Sequence, residues 1–287
     1  MLNLMFVSIC ILLCLPTFSI ERNFSSAQTK KPMLAIVIDD FGGYEQGGVE
    51  TILSIDAPLT CAVMPNLENS LINSTQALEA NKEVIVHMPM QAHVSIPEFW
   101  YGTNYIKTSD TSEQVEQKLN AAFKSVKGAK GFNIHIGSGV CQNKKVMNYI
   151  YDYAKNNDLF FLDSRTHIGT ICQEVAKENN IVYLGRDEFL EPNGNKSYQG
   201  VKHHLMVATN LAKEKGYAIA IGHVGSHGGE NTAKAIKDSI NEIENMGVEI
   251  VPLSTIYEHL KNEKIIKIEF KNTKNTAKMR YFLQLKF

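Results

Sequence analysis

Cysteine is scarce in this sequence, and its spacing gives no sign of a metal site or a disulfide framework. Five cysteines occur among 287 residues, two of them in the apolar N-terminal segment. The other three, Cys61, Cys141 and Cys172, are odd in number and widely separated. Neither zinc-finger spacing nor the even set of a disulfide-rich domain is present. We therefore expect these three side chains to be small buried hydrophobic groups.

An excess of charge of either sign is also missing. The formal net charge is −1 at pH 7, so no overall field favours a nucleic acid partner. Hydrophobic residues make up 44% of the chain and charged residues 21%, as in ordinary globular proteins. The length beyond the N-terminal segment is enough for one large α/β domain with a substantial core.

Two common ligand and catalytic motifs are absent. No G-x-G-x-x-G pattern follows the first predicted strand, so a dinucleotide-binding fold gains no support. No G-x-S-x-G nucleophile elbow occurs either, because Ser138 follows a glycine but lacks the rest of that motif. The sequence therefore gives no support to a serine hydrolase mechanism.

The N-terminal segment contains an apolar run, Leu4–Leu15, that is short for a membrane span and typical of a secretory signal. It has no Lys or Arg before the run, and polar residues follow it. We expect residues 1–31 to be a signal peptide, or an uncleaved anchor, plus a linker. The protein is then exported, being periplasmic, extracellular or associated with the cell envelope, and it contacts a membrane only through such an anchor.

Eight apolar runs recur along the rest of the chain and alternate with segments of helical periodicity. Strict alternation indicates a parallel sheet with right-handed crossovers. Within residues 32–260 it predicts an α/β fold, a distorted (β/α) barrel of seven to eight parallel strands. An open doubly wound sheet is the alternative. The runs are Met33–Asp40, Leu59–Pro65, Glu83–Met90, Gly131–Gly137, Asp158–Ser164, Asn180–Asp187, Tyr217–Val224 and Val248–Ser254.

Two segments do not follow this alternation. Gln91–Asp110 is long, aromatic and without a clear period, which suits either a loop that lines the substrate or a packed loop that covers the barrel. Residues 261–287 form a basic C-terminal extension. Its β-like runs Ile265–Phe270 and Tyr281–Phe287 could instead form a hairpin.

Polar residues recur at the ends of successive predicted strands. Asp39 and Asp40 follow the buried run Leu34–Ile38, although either could merely cap the next helix. Because the carboxyl ends of parallel strands open on one face, these groups should converge there. The others are His87 with Gln91, Asn133 with His135 and Ser138, Asp163 with Arg165, Arg186 with Asp187 and Glu191, and His223.

Two histidines and a carboxylate in this set suit a divalent metal ion with an open coordination position. His87 and His135 end strands that we expect to be neighbours, and Asp40 can supply an oxygen ligand. Neighbouring strands lie about 4.8 Å apart, so their side chains can reach one ion. The alternative for each histidine taken alone is a hydrogen-bonded core residue.

The order of these motifs over residues 32–260 resembles the divergent polysaccharide deacetylase family. That resemblance implies a distorted (β/α) barrel and a metal-dependent esterase that removes N- or O-acetyl groups from glycans. The motifs are Ile38-Asp39-Asp40-Phe41-Gly42, His87-Met88-Pro89-Met90, Asn133-x-His135-x-Gly137-Ser138, Asp163-Ser164-Arg165-Thr166, Arg186-Asp187-x-Phe189-Leu190 and Gly222-His223-Val224.

The resemblance also implies roles for individual residues. Asp39 would be the general base, Asp40 and His87 metal ligands, and His223 the acid that protonates the leaving group. Asp163 and Arg165 would orient their neighbours or hold substrate, and Asp163 would raise the pKa of His223 if it lay within hydrogen-bond reach. Asn133, Ser138, Arg186 and Asp187 would contact substrate. The expected ion is a divalent metal ion, zinc.

One departure from the family pattern matters. The superfamily places a second histidine four residues after the first, where this chain has Gln91, and a neutral amide is a poor zinc ligand. His135 would then complete the ligand set. Otherwise the site would bind metal weakly or lack catalysis.

The function expected is a metal-dependent hydrolase that deacetylates an envelope or extracellular polysaccharide, such as a peptidoglycan-type glycan. A catalytically degenerate glycan-binding protein on the same fold is the main alternative, and Gln91 is its support. An amidase acting on peptidoglycan peptides and an envelope protein that binds partners through its tail are further alternatives.

Overall fold

The computed structural model describes residues 31–267. Residues 1–30 of the predicted signal peptide or anchor and linker (1–31), and residues 268–287 of the predicted basic extension, lie outside this range. Among the described residues, no helix has both the length and the apolar character needed to cross a bilayer.

One parallel sheet organises residues 31–267, and every strand pair in it runs in the same direction. Its order is β6-β5-β4-β3-β2-β1-β8-β7, with β9 paired to the start of β1. The strands are β1 (Met33–Phe41), β2 (Thr60–Val63), β3 (Glu83–Met90), β4 (Gly131–Ile136), β5 (Phe160–Asp163), β6 (Leu184–Gly185), β7 (Glu188–Phe189), β8 (Tyr217–His223) and β9 (Glu249–Ile250).

The two outermost strands of this sheet, β6 and β7, are separated by only two residues in the chain. In that link, Arg186 N donates to Asp163 O at 3.0 Å and Asp187 N donates to Ile219 O at 2.8 Å. One extended segment, Leu184–Phe189, therefore pairs with β5 through its first half and with β8 through its second. The sheet curls into a ring, which confirms the predicted distorted (β/α) barrel.

Seven helices follow the strands, and an eighth covers 253–267. Helix α3 begins with a capping box in which the Thr111 side chain accepts from Gln114 N and the Gln114 side chain accepts from Thr111 N. The helices are α1 (Val49–Leu53), α2 (Ser70–Glu79), α3 (Ser112–Ser125), α4 (Lys144–Asn156), α5 (Cys172–Glu178), α6 (Tyr198–Lys215), α7 (Gly229–Asn245) and α8 (253–267).

Alternation along each strand divides the core into two parts. On β1, Leu34 and Ile36 pack outward with the helices, whereas Ala35 and Val37 face the barrel interior. The next residue in the inward phase is Asp39, which lies opposite His223 of β8. His87 of β3 follows the inward Ile85 and lies opposite Asn133 of β4. The alternation that fills the barrel with apolar side chains thus delivers polar ones at its carboxyl end.

Helix α8 closes the other end of the barrel with Leu253 and Ile256. Its first amides are capped by buried side chains of the strands: Leu253 N donates to Thr60 Oγ1 at 3.0 Å, and Ser254 N donates to Glu83 Oε1 at 3.1 Å. The predicted limit of the barrel domain at residue 260 falls inside this helix. Residues 265–267, expected to be β-like, continue it as helix.

The three cysteines of the described range are free and buried, as predicted. Cys61 lies on β2 and packs in the outer layer of the core with Cys141 and Cys172. Burial raises the pKa of the Cys61 thiol to about 12. These side chains therefore behave as hydrophobic groups.

Candidate metal centre

Asp39 and Asp40 both face the carboxyl end of the barrel, although adjacent residues of a regular strand point to opposite sides. Asp40 has a left-handed backbone conformation, with φ 69°. The pairing of β1 with β2 also shifts register between Ile38 and Phe41. This irregularity near the end of β1 turns Asp40 toward the site.

Three side chains converge at this end. Asp40 Oδ1 lies 3.4 Å from His87 Nε2 and 3.4 Å from His135 Nδ1. The two ring nitrogens are 3.0 Å apart. One potential ligand atom from each residue lies within 4.8 Å of the others, so the structure brings together the set expected to share a metal ion.

Hydrogen bonds around the two histidines define which of their nitrogens carry protons. Asn133 Nδ2 donates to Asp39 Oδ1 at 2.8 Å, so its Oδ1 faces His87 Nδ1 at 2.7 Å as an acceptor. His87 Nδ1 must then hold a proton, so that in the neutral ring the lone pair is on Nε2. His135 Nε2 donates to Trp100 O at 3.1 Å, which leaves a lone pair on Nδ1.

The third atom, Asp40 Oδ1, is buried and has no hydrogen-bond partner among the described residues. Burial alone would raise the pKa of Asp40, but the three neighbouring histidines His135, His227 and His87 hold it well below its usual value. One anionic oxygen and two imidazole lone pairs thus face one point. This donor set fits a divalent cation, and the bonds to Asn133 and Trp100 are those that orient metal-binding histidines.

His227 is a residue of the site that the sequence reasoning missed. Its Nδ1 lies 2.9 Å from Asp40 Oδ2 and fixes the carboxylate through the oxygen that does not face the two histidines. His227 lies in the turn between β8 and α7, four residues after His223. A search that included the four residues after each strand end would have found it.

Asp39 is buried in the wall beside this cluster. Its Oδ2 is 3.6 Å from His87 Nδ1 and 4.0 Å from His223 Nε2. Burial, the largest influence, raises the pKa of Asp39. The predicted base and the predicted acid therefore border the same cavity, which has a volume of about 350 Å³.

Glu191, and not Asp163, is the partner of His223. Glu191 Oε2 lies 3.1 Å from His223 Nδ1, while Oε1 accepts from His223 N at 3.1 Å and from Thr232 Oγ1 at 2.7 Å. Burial opposes the charge on His223, but the hydrogen bond to Glu191 and the nearby carboxylates raise its pKa to about 9.

Asp163 does not meet the condition set for it, because it is not within hydrogen-bond reach of His223. Asp163 follows the inward-facing Leu162 and so points away from the barrel interior. Its oxygens accept from Arg165 N at 2.8 Å, Thr170 Oγ1 at 3.0 Å and the Tyr183 hydroxyl at 3.0 Å. Asp163 braces the turn that carries Arg165.

The residues expected to contact substrate divide into two groups. Arg165 and Arg186 line the cavity with the cluster, and Asn133 lies beneath it between His87 and Asp39. Ser138 and Asp187 do not line it. Ser138 Oγ accepts from His93 N at 2.9 Å, and Asp187 accepts from Ile219 N and pairs with Lys215. Ser138 and Asp187 therefore stabilise the backbone near the site.

Gln91 is engaged elsewhere. Its Oε1 accepts hydrogen bonds from Thr108 N at 2.8 Å and from Thr108 Oγ1 at 2.9 Å. The side chain therefore braces the long loop and leaves His135 as the second histidine of the cluster. The departure from the superfamily motif is thus matched by a histidine from the next strand.

The long loop after β3 is partly packed and partly exposed. Tyr101 is buried, accepts from Ala92 N at 2.9 Å and stacks on Tyr105 with ring centroids 4.2 Å apart. Phe99 and Trp100 are 76% and 48% exposed. They line a second cavity of about 340 Å³, which shares Asp40, His135 and His227 with the first. Tyr101 and Tyr105 therefore fit the interpretation of a packed covering loop, whereas Phe99 and Trp100 fit that of a loop that lines the substrate.

The profile of the family described as divergent polysaccharide deacetylase matches residues 36–257. An uncharacterized protein of Haemophilus influenzae is 32% identical over 205 residues, which are 71% of this chain and 70% of that protein. The uncharacterized protein YibQ of Escherichia coli is 30% identical over 190 residues, covering 66% of this chain and 58% of YibQ.

A solved structure shares the fold. The crystal structure of an uncharacterized protein from Agrobacterium tumefaciens matches with a TM-score of 0.70 at 18% identity, covering 80% of this chain and 91% of that one. At this identity the match shows the fold alone. The profile match spans the strands that carry Asp39, Asp40, His87, His135 and His223. The chain belongs to the divergent polysaccharide deacetylase family.

Proposed function

We propose that this protein is a metal-dependent hydrolase that removes acetyl groups from a glycan of the cell envelope or its surroundings. The observation that carries the proposal is the convergence of Asp40 Oδ1, His87 Nε2 and His135 Nδ1 beside the pair Asp39 and His223. Membership of the family supports a glycan substrate. The apolar N-terminal run supports action outside the cytoplasm.

Asp40, His87 and His135 would hold the ion, and zinc suits two imidazole nitrogens and one carboxylate oxygen. When bound, a divalent cation supplies a Lewis acid for the acetyl carbonyl and lowers the pKa of a water molecule. His227 keeps the Asp40 carboxylate in one orientation. Asn133 and the Trp100 carbonyl keep the two rings in the required tautomers.

Asp39 acts as the general base that takes a proton from the attacking water. Its Oδ1 is occupied by Asn133, so Oδ2 is the oxygen that accepts this proton. The raised pKa makes Asp39 a stronger base than an exposed aspartate. Asn133 therefore orients the base and His87 together.

His223 acts as the general acid. With a pKa of about 9, the imidazole is protonated at neutral pH, and Glu191 holds the proton on Nδ1 while Nε2 faces the cavity. As the bond between the acetyl carbon and the sugar nitrogen or oxygen breaks, the Nε2 proton passes to the leaving group. The products are acetate and a free amine or hydroxyl on the sugar.

The test uses the purified full-length protein, its metal content and the release of acetate from acetylated chitooligosaccharides and peptidoglycan. We expect one equivalent of divalent metal, acetate release that a chelator abolishes, and recovery when zinc is restored. Asp39→Asn should retain metal but lose about 10²–10⁴-fold in turnover. Asp152→Asn, on the exposed side of α4, is the matched control and should behave as the wild type.

Two results would contradict the proposal. Absence of stoichiometric metal would remove the metal-dependent mechanism. Metal and glycan binding without acetate release from any acetylated glycan would favour the non-catalytic glycan-binding alternative.

A further inference from the structure

Arginine is rare in this chain, yet the described arginines lie together at the site. Only four of the 29 basic residues are arginine, and two of these, Arg165 and Arg186, fall within residues 31–267. Both line the cavity that contains Asp40, His87 and His135. Every other basic Lys or Arg position in the described range is a lysine, so both described arginines lie at the wall of this cavity.

The two arginines hold each other in place through the backbone. Arg186 donates from Nε to Ser164 O at 2.7 Å and from Nη2 to Arg165 O at 3.0 Å. Arg165 Nη1 donates to Arg186 O at 2.7 Å. Arg186 also lies over the Phe189 ring, 4.7 Å from its centroid. Both guanidinium groups are therefore fixed before any ligand arrives, which lowers the entropic cost of binding.

Neither guanidinium forms an ion pair with a carboxylate of the described residues. Within residues 31–267, no carboxylate oxygen lies within 4.0 Å of the side-chain nitrogens of Arg165 or Arg186. The neighbouring acids are engaged elsewhere, since Asp163 bonds Thr170 and Tyr183, and Asp187 pairs with Lys215. The hydrogen bonds of both arginines go to carbonyl and hydroxyl oxygens, which do not neutralise their charge.

The two guanidinium charges on one cavity wall repel each other, although the nearby carboxylates of Asp39, Asp163, Asp187 and Glu188 attract them. An anion that bridges the two guanidinium groups would relieve this repulsion. A guanidinium presents a planar fork of donors that matches a carboxylate in a way that a lysine ammonium does not. After the backbone bonds are counted, Arg165 Nη2 and Arg186 Nη1 still have donors to offer a ligand.

We infer that Arg165 and Arg186 form a subsite for a carboxylate carried by the substrate, so that the acetylated sugar is an acidic amino sugar or is linked to one. This inference rests on the proposed function, because it places the anionic group in the same cavity as the acetyl group. It adds a specificity that the metal cluster and the acid–base pair do not supply.

The test compares two forms of one disaccharide, N-acetylglucosaminyl-N-acetylmuramic acid with its carboxylate free and as the methyl ester. Binding to the full-length protein is measured by calorimetry, and acetate release is measured separately. We expect the free acid to bind about 10- to 100-fold more tightly than the ester, the range for hydrogen bonds to a charged group. Arg186→Gln and Arg165→Gln should each reduce this preference, and Arg186→Lys should keep part of it.

Lys234→Gln, which removes one positive charge from the exposed face of α7, is the matched control and should keep the full preference. Thermal unfolding verifies that each arginine variant is folded, and a glutamine variant that fails is replaced by the lysine variant at the same position. Equal affinity of acid and ester for the wild type would overturn the inference, as would an undiminished preference in all arginine variants. Tighter binding of N-acetylglucosamine 6-phosphate than of the carboxylate would overturn the choice of anion.

The binding and activity measurements separate this inference from the proposed function. Preference for the acid in calorimetry without acetate release would support the subsite and reject the deacetylase. Acetate release with no preference for the acid would do the reverse.

Discussion

At the scale of single residues, Asp40 combines a strained backbone with an unpaired buried oxygen. Its φ of 69° is unusual for any residue except glycine, although Asp and Asn tolerate it best. Asp40→Asn keeps the shape and this tolerance but removes the charge that faces the two histidines. We expect zinc affinity to fall by at least about 100-fold, with little change in thermal stability of the metal-free protein. Competition titration with a chelating dye measures the affinity.

Asp40→Ala provides the contrast. It removes the same ligand but should also cost about 1 kcal/mol of stability, because alanine accommodates the left-handed conformation less well. Zinc affinity in Asp40→Asn equal to that of the wild type would show that Asp40 is not a ligand.

Glu191 governs the protonation of His223, and this gives a prediction in pH. A raised pKa means that His223 is protonated below about pH 9 and loses its proton above it, so activity should fall on the alkaline side near pH 9. Glu191→Gln removes the carboxylate and lowers the pKa of His223. The alkaline limb of the rate profile should therefore move to lower pH.

Asp163→Asn is the informative comparison, since Asp163 was expected to play the role that Glu191 has. It should leave the position of the alkaline limb unchanged, because Asp163 bonds Thr170 and Tyr183 instead. If Asp163→Asn moves the limb and Glu191→Gln does not, the assignment of the partner fails.

At the scale of elements, the loop between β3 and α3 contributes to the site through its backbone and its side chains separately. His135 bonds the carbonyl of Trp100, so Trp100→Ala keeps that contact and should leave zinc affinity nearly unchanged. The exposed indole lines the second cavity, and its loss should raise KM by up to about 10-fold. Steady-state kinetics with a parallel zinc titration measures both quantities.

Replacement of residues 94–104 by a short Gly-Ser link is the matching test of the backbone. It removes the carbonyl acceptor and should weaken zinc binding by about 10- to 100-fold. Unchanged zinc affinity in this variant would mean that the loop does not orient His135.

The opposite end of the barrel predicts an effect on stability alone. Thr60→Val removes the oxygen that accepts from Leu253 N at the start of α8 and leaves that buried amide unpaired. We expect unfolding in urea to show a loss of about 1–3 kcal/mol, with zinc affinity unchanged. Thr255→Val, on the exposed side of α8, is the control and should be neutral. An equal loss in both variants would contradict the capping role.

The elements differ in how well the sequence predicted them. The run Glu83–Met90 coincides with β3, and Met33–Asp40 falls one residue short of β1, because both strands are long, apolar and buried. The run Asn180–Asp187 instead contains only the two-residue β6, and β7 lies beyond it. Strands of two residues have too few positions to show a period, and only the neighbouring edges define them.

At the scale of the whole molecule, the site residues are separated by up to 188 positions, from Asp39 to His227, so their contacts depend on the closed ring. The rule that parallel strands deliver polar groups to one face was sufficient to find Asp39, Asp40, His87, His135 and His223. The same rule singled out Glu191 but not its role as the partner of His223, and it did not reach His227, because hydrogen bonds between loops and α7 fix both positions. The orientation of Asp163 likewise depended on the exact phase at the end of a four-residue strand.

Local opening of the barrel at the segment Leu184–Phe189 is coupled to ligand binding, because Arg186 lies in this segment. Short strands with few ladder bonds are where a fold opens locally, so the amides of Arg186, Asp187 and Leu190 should exchange with solvent faster than those of β1 or β3. A ligand that contacts both Arg186 and groups on β1 and β3 would stabilise the closed state of this segment. Part of the binding free energy would then be used to close the segment, and ligand affinity would be lower by that amount. Hydrogen exchange measured with and without ligand would report this free energy.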